Sequence, residues 1–128
     1  MTTPLATVER FFALTDVKGR EASNLLPSIR DLLTEDFEFI GPLMRTEGRE
    51  QYVGLLGQFL QAHVGYRFHH QFADGNEVCS LYDMDVRTPS GATLTLTMAD
   101  WLTVRYGRIC RQKLFYDPRG FAEAFGMK

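Results

Sequence analysis

Four strand-like segments follow one another in the second half of the chain, and this feature restricts the fold more than any other. The segments read YRFHHQF, EVCSLYDMDVR, ATLTLTMADWLTVR and RICRQKLFY, and the turn signals ADGN, TPSG and YG separate them. Each segment alternates apolar with polar residues or is rich in β-branched and aromatic ones, as strands are. Because connections this short join antiparallel neighbours, we predict a meander of four long strands.

Helical patterns fill most of the first half. Thr3 followed by Pro4 is typical of a helix start, with an N-cap and a proline at the first helical position, and this helix should end near Asp16. A second helix is predicted from about Ser23 through LL at 32–33, with Pro27 tolerated in its first turn, where amide donors are free. The strand FEFIGP and a third helix, GREQYVGLLGQFLQAH, follow.

The last segment, DPRGFAEAFG, predicts a short C-terminal helix with Asp117 as N-cap, Pro118 at the first position and Gly126 as the stop. Helices gathered before a long antiparallel sheet indicate an α+β domain, and we expect a single domain over residues 1–128. A strongly curved antiparallel sheet should pack on the three helices of the N-terminal half. Such a sheet can form a cone with a pocket between itself and the helices.

Charge and hydropathy exclude several function classes. The net charge is −2, whereas proteins that bind nucleic acid or anionic membranes carry a basic stripe. No apolar run approaches the length of a membrane span, and no basic leader precedes an apolar stretch, so we expect a cytoplasmic protein. Cys79 and Cys110 lie in strand segments without metal-ligand spacing, and we expect reduced thiols, no metal and no cofactor.

Asp100 is the residue that most suggests chemistry. In the segment LTLTMADWLTV the even positions share one face of a strand, and Asp100 lies there between Met98 and Leu102. A carboxylate on an apolar face is costly unless it is neutralised, paired or used. We therefore predict that Asp100 is a catalytic acid or base whose pKa is raised by burial.

The hairpin before this strand decides which histidine accompanies Asp100. A three-residue loop with Gly75 in the left-handed conformation pairs His70 with Val78 and places the aromatic residues of both strands on one face. A two-residue loop would not place them together. In that register His70 faces the pocket and His69 faces outward. We predict catalytic roles for His70 and for Tyr82, and the alternative for His70 is a hydrogen-bonded core histidine.

Other side chains on the same face suggest a binding pocket. Tyr82 and Gln112 could orient a carbonyl or hydroxyl group, and methionines would form an adaptable apolar wall. Plain core packing is the alternative for these apolar residues. The predicted substrate-binding residues are Gln112, Ser80, Met84, Met98, Phe39 and Phe59.

The opposite face of the same strand carries Thr95, Thr97 and Trp101. Small and β-branched residues with one indole suit a flat contact between two sheets, so we expect a homodimer through this outer face. A solvated face is the alternative.

The order of elements resembles the NTF2-like superfamily, and within it the SnoaL-like group with ketosteroid isomerases, polyketide cyclases and limonene-type epoxide hydrolases. The resemblance covers nearly the whole chain. It rests on LLTEDFEFIGP with the following GRE, on NEVCSLYDMDV, on GATLTLTMADWLTVRYGRI and on YDPRGF with the later FG. It implies the NTF2-like cone more strongly than any one reaction.

The resemblance also assigns residues. Asp100 matches the aspartate that ketosteroid isomerases keep protonated to donate to an oxyanion. Their catalytic base falls within residues 39–41, Phe-Ile-Gly in this chain, and their oxyanion tyrosine falls at Phe11, so that isomerase set is incomplete. The Asp-Arg-Asp set of the epoxide hydrolases is also incomplete, since YDMDV has no arginine and the second aspartate falls near Leu114. Of the activities in this group, the resemblance therefore implies only a cyclase-like role for Asp100.

Two functions therefore remain open. The first is a cyclase, isomerase or dehydratase that acts on a small apolar or aromatic carbonyl compound, with Asp100 as acid or base and His70 and Tyr82 assisting. The second is a non-catalytic ligand-binding or dimerisation module in which Asp100 is a structural carboxyl, paired with Tyr82 or a backbone donor.

Overall fold

The computed structural model describes residues 2–127. The helices are α1 (Pro4–Thr15), α2 (Ala22–Asp31), α3 (Arg49–Phe59) and α4 (Arg119–Ala124). The strands are β1 (Leu33–Ile40), β2 (Arg45–Glu47), β3 (His63–Asp74), β4 (Glu77–Arg87), β5 (Thr93–Arg105) and β6 (Arg108–Phe115). The predicted meander is confirmed as β3 to β6, and the predicted helices are confirmed as α1 to α4, although α4 has Pro118 and not Asp117 at its N-cap. Among the described residues, no helix is long and apolar enough to cross a membrane.

The strands form one sheet in the order β2-β1-β6-β5-β4-β3. All neighbours are antiparallel except β1 and β6, which run parallel. The sheet is therefore mixed at this one pair, because the chain passes through the whole meander before β6 returns beside β1 in the same direction. The short strand β2, which the sequence pattern did not indicate, is one edge, and the sheet remains open rather than closing into a barrel.

The start of α1 is the one that the sequence predicts. The Thr3 side chain accepts a hydrogen bond from the amide of Ala6 at 3.1 Å, and Pro4 occupies the first helical position. This cap satisfies one of the free amide donors at the helix start. The helix buries Val8, Phe11 and Phe12 against the sheet, and the two phenylalanines form part of one wall of the cavity described below.

The boundary between α2 and β1 differs from the prediction. The helix ends at Asp31, and β1 already begins at Leu33, whose side chain is fully buried and pairs with Ile109 of β6. Pairing with β6 therefore places Leu33 in the sheet, although its spacing in the sequence had predicted that it belongs to α2. Pro27 lies inside α2 rather than in its first turn, so the helix lacks one backbone hydrogen bond there.

The hairpin between β3 and β4 has a two-residue loop, so the predicted three-residue loop is wrong. Asp74 pairs with Glu77 across the loop, and Gly75 has a φ of +60° at its first position. A glycine at that position is what the type II′ hairpin turn requires. The predicted pairing of His70 with Val78 is therefore lost.

A β-bulge further along β3 changes its alternation as well. Phe68 pairs with Tyr82 and His70 pairs with Leu81, so His69 is the extra residue between them. A bulge reverses which side of the sheet the following residues face. Phe68 therefore faces the helices, while His70 faces away from them.

We call the face of the sheet that the helices cover the inner face, and the opposite face the outer face. The even-numbered residues of β4 and β5 occupy the inner face and are nearly all buried, as the alternation predicts. They are Val78, Ser80, Tyr82, Met84, Val86, Leu94, Leu96, Met98, Asp100, Leu102 and Val104.

Candidate functional site

A cavity of about 390 Å³ lies between the inner face and the helices. Its walls are mostly apolar and rich in aromatic side chains, and helices α1, α3 and α4 all contribute. Among the described residues, none of the side chains that line it is charged. The aromatic walls include Phe11, Phe12, Phe39, Phe59, Phe121 and Phe125. Such a cavity has the size and polarity of a site for a small apolar molecule.

Asp100 lies in the middle of β5 and is fully buried. Its Oδ2 accepts hydrogen bonds from the Tyr82 hydroxyl at 3.0 Å and from Nε2 of Gln112 at 2.8 Å. Strand pairing places both donors there, because Tyr82 lies on β4 and Gln112 on β6, on either side of β5. Burial raises the pKa of Asp100 to about 7, and the two hydrogen bonds oppose this rise by stabilising the carboxylate.

The network continues to helix α3 through the Gln112 amide. The Tyr52 hydroxyl donates to Oε1 of Gln112 at 3.1 Å. The Tyr52 ring is held by Phe37, with ring centroids 4.7 Å apart. Tyr52 was not among the predicted site residues, although it lies on the apolar stripe of α3. Only its contact with Gln112, 60 positions away in sequence, distinguishes it from ordinary core.

Asp100 itself does not line the cavity. Tyr82, Gln112 and Tyr52 line it, and Asp100 lies behind them. Among the described residues, Oδ1 of Asp100 is buried without a hydrogen-bond partner. A ligand in the cavity would therefore contact the two tyrosines and the amide, and would be connected to the carboxyl through them.

A second polar cluster lies near the ends of α1 and α3. The Tyr66 hydroxyl is 2.7 Å from Oγ1 of Thr15, and both residues line the cavity. Next to them, Nε2 of His63 is 2.9 Å from a carboxylate oxygen of Asp16. The ring centroids of His63 and Tyr66 are 4.4 Å apart. These residues come from the end of α1 with its C-cap Asp16 and from the start of β3, so no local sequence pattern could have linked them.

The structure brings together most of the predicted binding residues. Tyr82 and Gln112 contact Asp100 directly. Met84, Met98, Phe39 and Phe59 line the cavity. Ser80 is buried beside Asp100 on the neighbouring strand, but its hydroxyl accepts from Gln71 and does not reach the cavity.

His70 does not lie where the sequence pattern placed it. It is exposed on the outer face, where its ring packs near Phe72 with centroids 5.2 Å apart. The two-residue loop puts it there, because it pairs His70 with Leu81. His69 is also exposed, with Nε2 3.1 Å from an Asp83 carboxylate oxygen. Neither histidine can reach Asp100, so the placement of His70 in the pocket is wrong.

Asp83 and Asp85 lie on the outer face and are well partnered. Thr97 donates to Asp83 at 2.9 Å, Thr95 donates to Asp85 at 2.6 Å, and Arg67 pairs with Asp85. These contacts lower the pKa of both carboxyls below the usual value, mainly through the hydrogen bonds from Thr97 and Arg67 respectively. They form an ion-paired surface cluster outside the cavity.

Large apolar side chains are exposed on the outer face. Phe72, Leu81, Trp101 and Phe115 are each between 37% and 47% exposed. They come from four adjacent strands, and strand pairing brings them together around Cys79 and Ala99. We call these six residues the outer patch. Within residues 2–127, no cluster of three or more histidine, cysteine, aspartate or glutamate residues could hold a metal ion.

Comparison with known proteins gives a consistent family and fold. The family model of the SnoaL-like domain matches residues 8–112. An NTF2-like protein of unknown function from Cytophaga hutchinsonii is 25% identical, with 94% of this chain and 96% of that chain covered and a TM-score of 0.77. No curated protein matches the chain.

Two more distant structures share the fold. A protein from Jannaschia, provisionally described as a SnoaL-like polyketide cyclase, is 16% identical, with 98% of this chain and 92% of that chain covered and a TM-score of 0.78. A protein with a ketosteroid isomerase-like fold from Catenulispora acidiphila, in complex with trimethylamine, is 18% identical, with 99% and 96% covered and a TM-score of 0.75. At these identities the likeness is one of fold.

Proposed function

Because this chain belongs to the SnoaL-like domain family, we propose that it binds a small apolar carbonyl compound in its cavity and moves a proton on that compound, as an isomerase, cyclase or dehydratase does. The observation that carries this proposal is Asp100. Its carboxyl is fully buried, has a pKa of about 7 and is hydrogen-bonded to a tyrosine that lines the cavity. An acid or base works best when its pKa is near the working pH.

The proton path runs through Tyr82. The bound compound gives a proton to the Tyr82 hydroxyl oxygen while Tyr82 passes its own proton to Oδ2 of Asp100, and the reverse transfer returns a proton to the compound. Burial raises the pKa of the Tyr82 phenol well above its usual value, so a free phenolate is unfavourable and the two transfers occur together. Gln112 holds the carboxyl in place at 2.8 Å. Tyr82 is the residue that contacts the substrate, and Asp100 holds the proton.

A non-catalytic ligand-binding module is the second candidate. The observation that favours it is the position of Asp100 behind the cavity wall, with both of its hydrogen bonds made to the protein. In that case Asp100, Gln112 and the tyrosines stabilise the fold and shape the cavity, and the bound ligand undergoes no reaction.

Hydrogen exchange on a simple ketone separates the two candidates. The protein is incubated with 2-tetralone in D₂O, and the rate of deuterium incorporation next to the carbonyl is followed by NMR. We expect exchange above the buffer rate, and a loss of roughly 100-fold or more in Asp100→Asn and in Tyr82→Phe, because acid–base groups contribute that much. Tyr106→Phe is the matched control, since Tyr106 is 99% exposed.

Two results would contradict the catalytic proposal. One is binding of 2-tetralone without exchange above the buffer rate, which supports the module. The other is unchanged exchange in a folded Asp100→Asn protein, which removes Asp100 from the proton path.

We also propose that the outer patch joins two copies of this chain. The patch is apolar, and its borders have opposite charge, with Asp74 and Glu77 on the β3–β4 side and Arg111 and Lys113 on β6. A two-fold axis along β5, near Trp101, places each acidic border against the basic border of the other copy. Exposed apolar patches with polar rims are typical of protein–protein contacts.

Sedimentation analysis tests this contact. We expect the wild-type chain to sediment as a dimer and Leu81→Arg to sediment as a monomer, because the arginine places a charge in the middle of the patch. Tyr106→Arg, on an exposed turn away from the patch, should remain dimeric. A wild-type protein that stays monomeric at every concentration would refute the contact.

A further inference from the structure

Three of the four tyrosines that line the cavity, Tyr52, Tyr66 and Tyr82, donate their hydroxyl hydrogens to the protein, whereas the fourth, Tyr116, packs near Phe121 of α4. A tyrosine hydroxyl has one hydrogen to donate. Tyr82 donates its hydrogen to Oδ2 of Asp100 at 3.0 Å. A carboxylate oxygen accepts hydrogen bonds, so the amide nitrogen of Gln112, and not its oxygen, faces Asp100. The amide oxygen then faces Tyr52, and Tyr52 must donate to it.

Protonation of Asp100 on Oδ1 leaves this arrangement unchanged. Oδ1 of Asp100 makes no hydrogen bond within residues 2–127, so a proton can reside on Oδ1. Oδ2 then continues to accept from Tyr82 and Gln112. The direction of both hydrogen bonds is therefore the same in the ionised carboxyl and in the carboxyl protonated on Oδ1, and it changes only during the proposed transfer, when the Tyr82 proton moves to Oδ2.

Tyr66 is committed in the same way at the other end of the cavity. The hydroxyl of Thr15 lies 3.2 Å from the carbonyl oxygen of Phe12, which can only accept. Thr15 therefore uses its single hydrogen there. For the 2.7 Å contact between Thr15 and Tyr66 to be a hydrogen bond as well, Tyr66 must be the donor.

These hydrogen-bond directions determine which polar groups of a ligand the tyrosines can bind. Each of these three tyrosines presents only oxygen lone pairs to the cavity, and the second amide hydrogen of Gln112 is the remaining donor in this network. A ligand with only carbonyl or ether oxygens leaves the tyrosine oxygens without a partner once water is displaced, which is unfavourable in an apolar cavity. We infer that the part of the cavity lined by Tyr52, Tyr66 and Tyr82 selects apolar ligands that carry a hydrogen-bond donor, a hydroxyl or ammonium group, for these tyrosine oxygens.

This inference rests on the proposed function and narrows it. The carbonyl compound would also carry a hydroxyl or ammonium group, which donates a hydrogen bond to one of these tyrosine oxygens. An ammonium group offers the same hydrogen-bond chemistry, and aromatic walls without a nearby positive charge also favour a cation. Comparing a ligand that has a hydroxyl group with one that has an ammonium group distinguishes these two kinds of donor.

Calorimetric titration with matched naphthalenes tests the inference. The ligands are 2-naphthol, 2-methoxynaphthalene and 2-naphthylmethylamine, which is an ammonium ion at neutral pH. We expect 2-naphthol to bind about tenfold more tightly than its methyl ether, although the ether has more apolar area to bury. Tighter binding of the ammonium compound than of 2-naphthol would identify a cation as the preferred donor, and weaker binding would identify a neutral hydroxyl.

Single variants locate the acceptor. Tyr52→Phe, Tyr66→Phe and Tyr82→Phe each remove one oxygen, and at least one of them should reduce the preference for 2-naphthol to near unity. Tyr106→Phe should keep the preference. An equal affinity for naphthol and its ether, or a preference that survives in all three variants, would overturn the inference and leave the cavity as a binding site. If none of the three naphthalenes binds, both the inference and the proposed binding function fail.

Discussion

The stability of the wild-type chain is expected to fall by roughly 4 kcal/mol between pH 4 and pH 8, relative to that of Asp100→Asn. Burial raises the pKa of Asp100 from 3.8 to about 7. Between these values the folded chain holds a proton that the unfolded chain has released, so a rise in pH favours unfolding. Each pKa unit corresponds to about 1.4 kcal/mol, which gives the stated size. The stabilising contribution is complete below about pH 4 and is lost as the pH passes 7.

Urea denaturation of both proteins at several pH values measures this difference. The asparagine cannot ionise, so any cost of its buried amide is the same at each pH and does not affect the slope. Asp117→Asn is the control, because the hydrogen bond from Arg119 lowers the pKa of Asp117 to about 2, and its contribution is lost only in the acid range below pH 4. Parallel curves for wild type and Asp100→Asn would show that Asp100 ionises normally in the folded state.

Phe37→Ala is expected to lower the free energy of unfolding by about 3–5 kcal/mol. Phe37 is fully buried in β1, and its ring packs on Tyr52. Truncating a buried phenylalanine loses its transfer free energy and leaves a cavity that the surroundings fill only partly. The loss also frees the Tyr52 ring, whose hydroxyl must stay in place to reach Gln112.

The measurement is again urea denaturation, at pH 6, together with calorimetric titration of 2-naphthol into the same protein samples. Phe37→Leu keeps most of the volume and should cost less than half as much. Tyr106→Ala removes a side chain that is 99% exposed and should change stability by less than about 0.5 kcal/mol. A Phe37→Ala cost near that of Tyr106→Ala would mean that the core closes over the missing ring and that Phe37 does not position Tyr52.

The part of the site that could be predicted from the sequence follows from strand alternation. Asp100 and Tyr82 lie in strands with regular alternation, and Gln112 takes the same face on β6 because β6 pairs with β5. A period of two is a local property, so it is readable without knowledge of the fold. The same rule failed for His70, because the two-residue loop shifted its pairing to Leu81 on the outer face, and the bulge at His69 returned only the residues before it to the inner face.

The remaining parts of the site depend on contacts between distant segments. Tyr52 looks like an ordinary residue of an apolar helix stripe until α3 packs over β6 and its hydroxyl meets Gln112. Thr15 and Tyr66 are separated by 51 positions. Leu33 has the spacing of a helix residue but pairs in the sheet, because partnering with β6 outweighs a weak local propensity.

The sequence by itself determined the α+β class, the meander, the capped first helix and the buried position of Asp100. Each of these depends on residues that are near one another along the chain. The tertiary structure alone decided that Asp100 lies behind the cavity wall, that two tyrosines and one amide connect it to the cavity, and that neither His69 nor His70 takes part. The physical reason is that periodicity fixes which face of a strand a side chain occupies, whereas its depth and its hydrogen-bond partners are fixed only when the elements pack together.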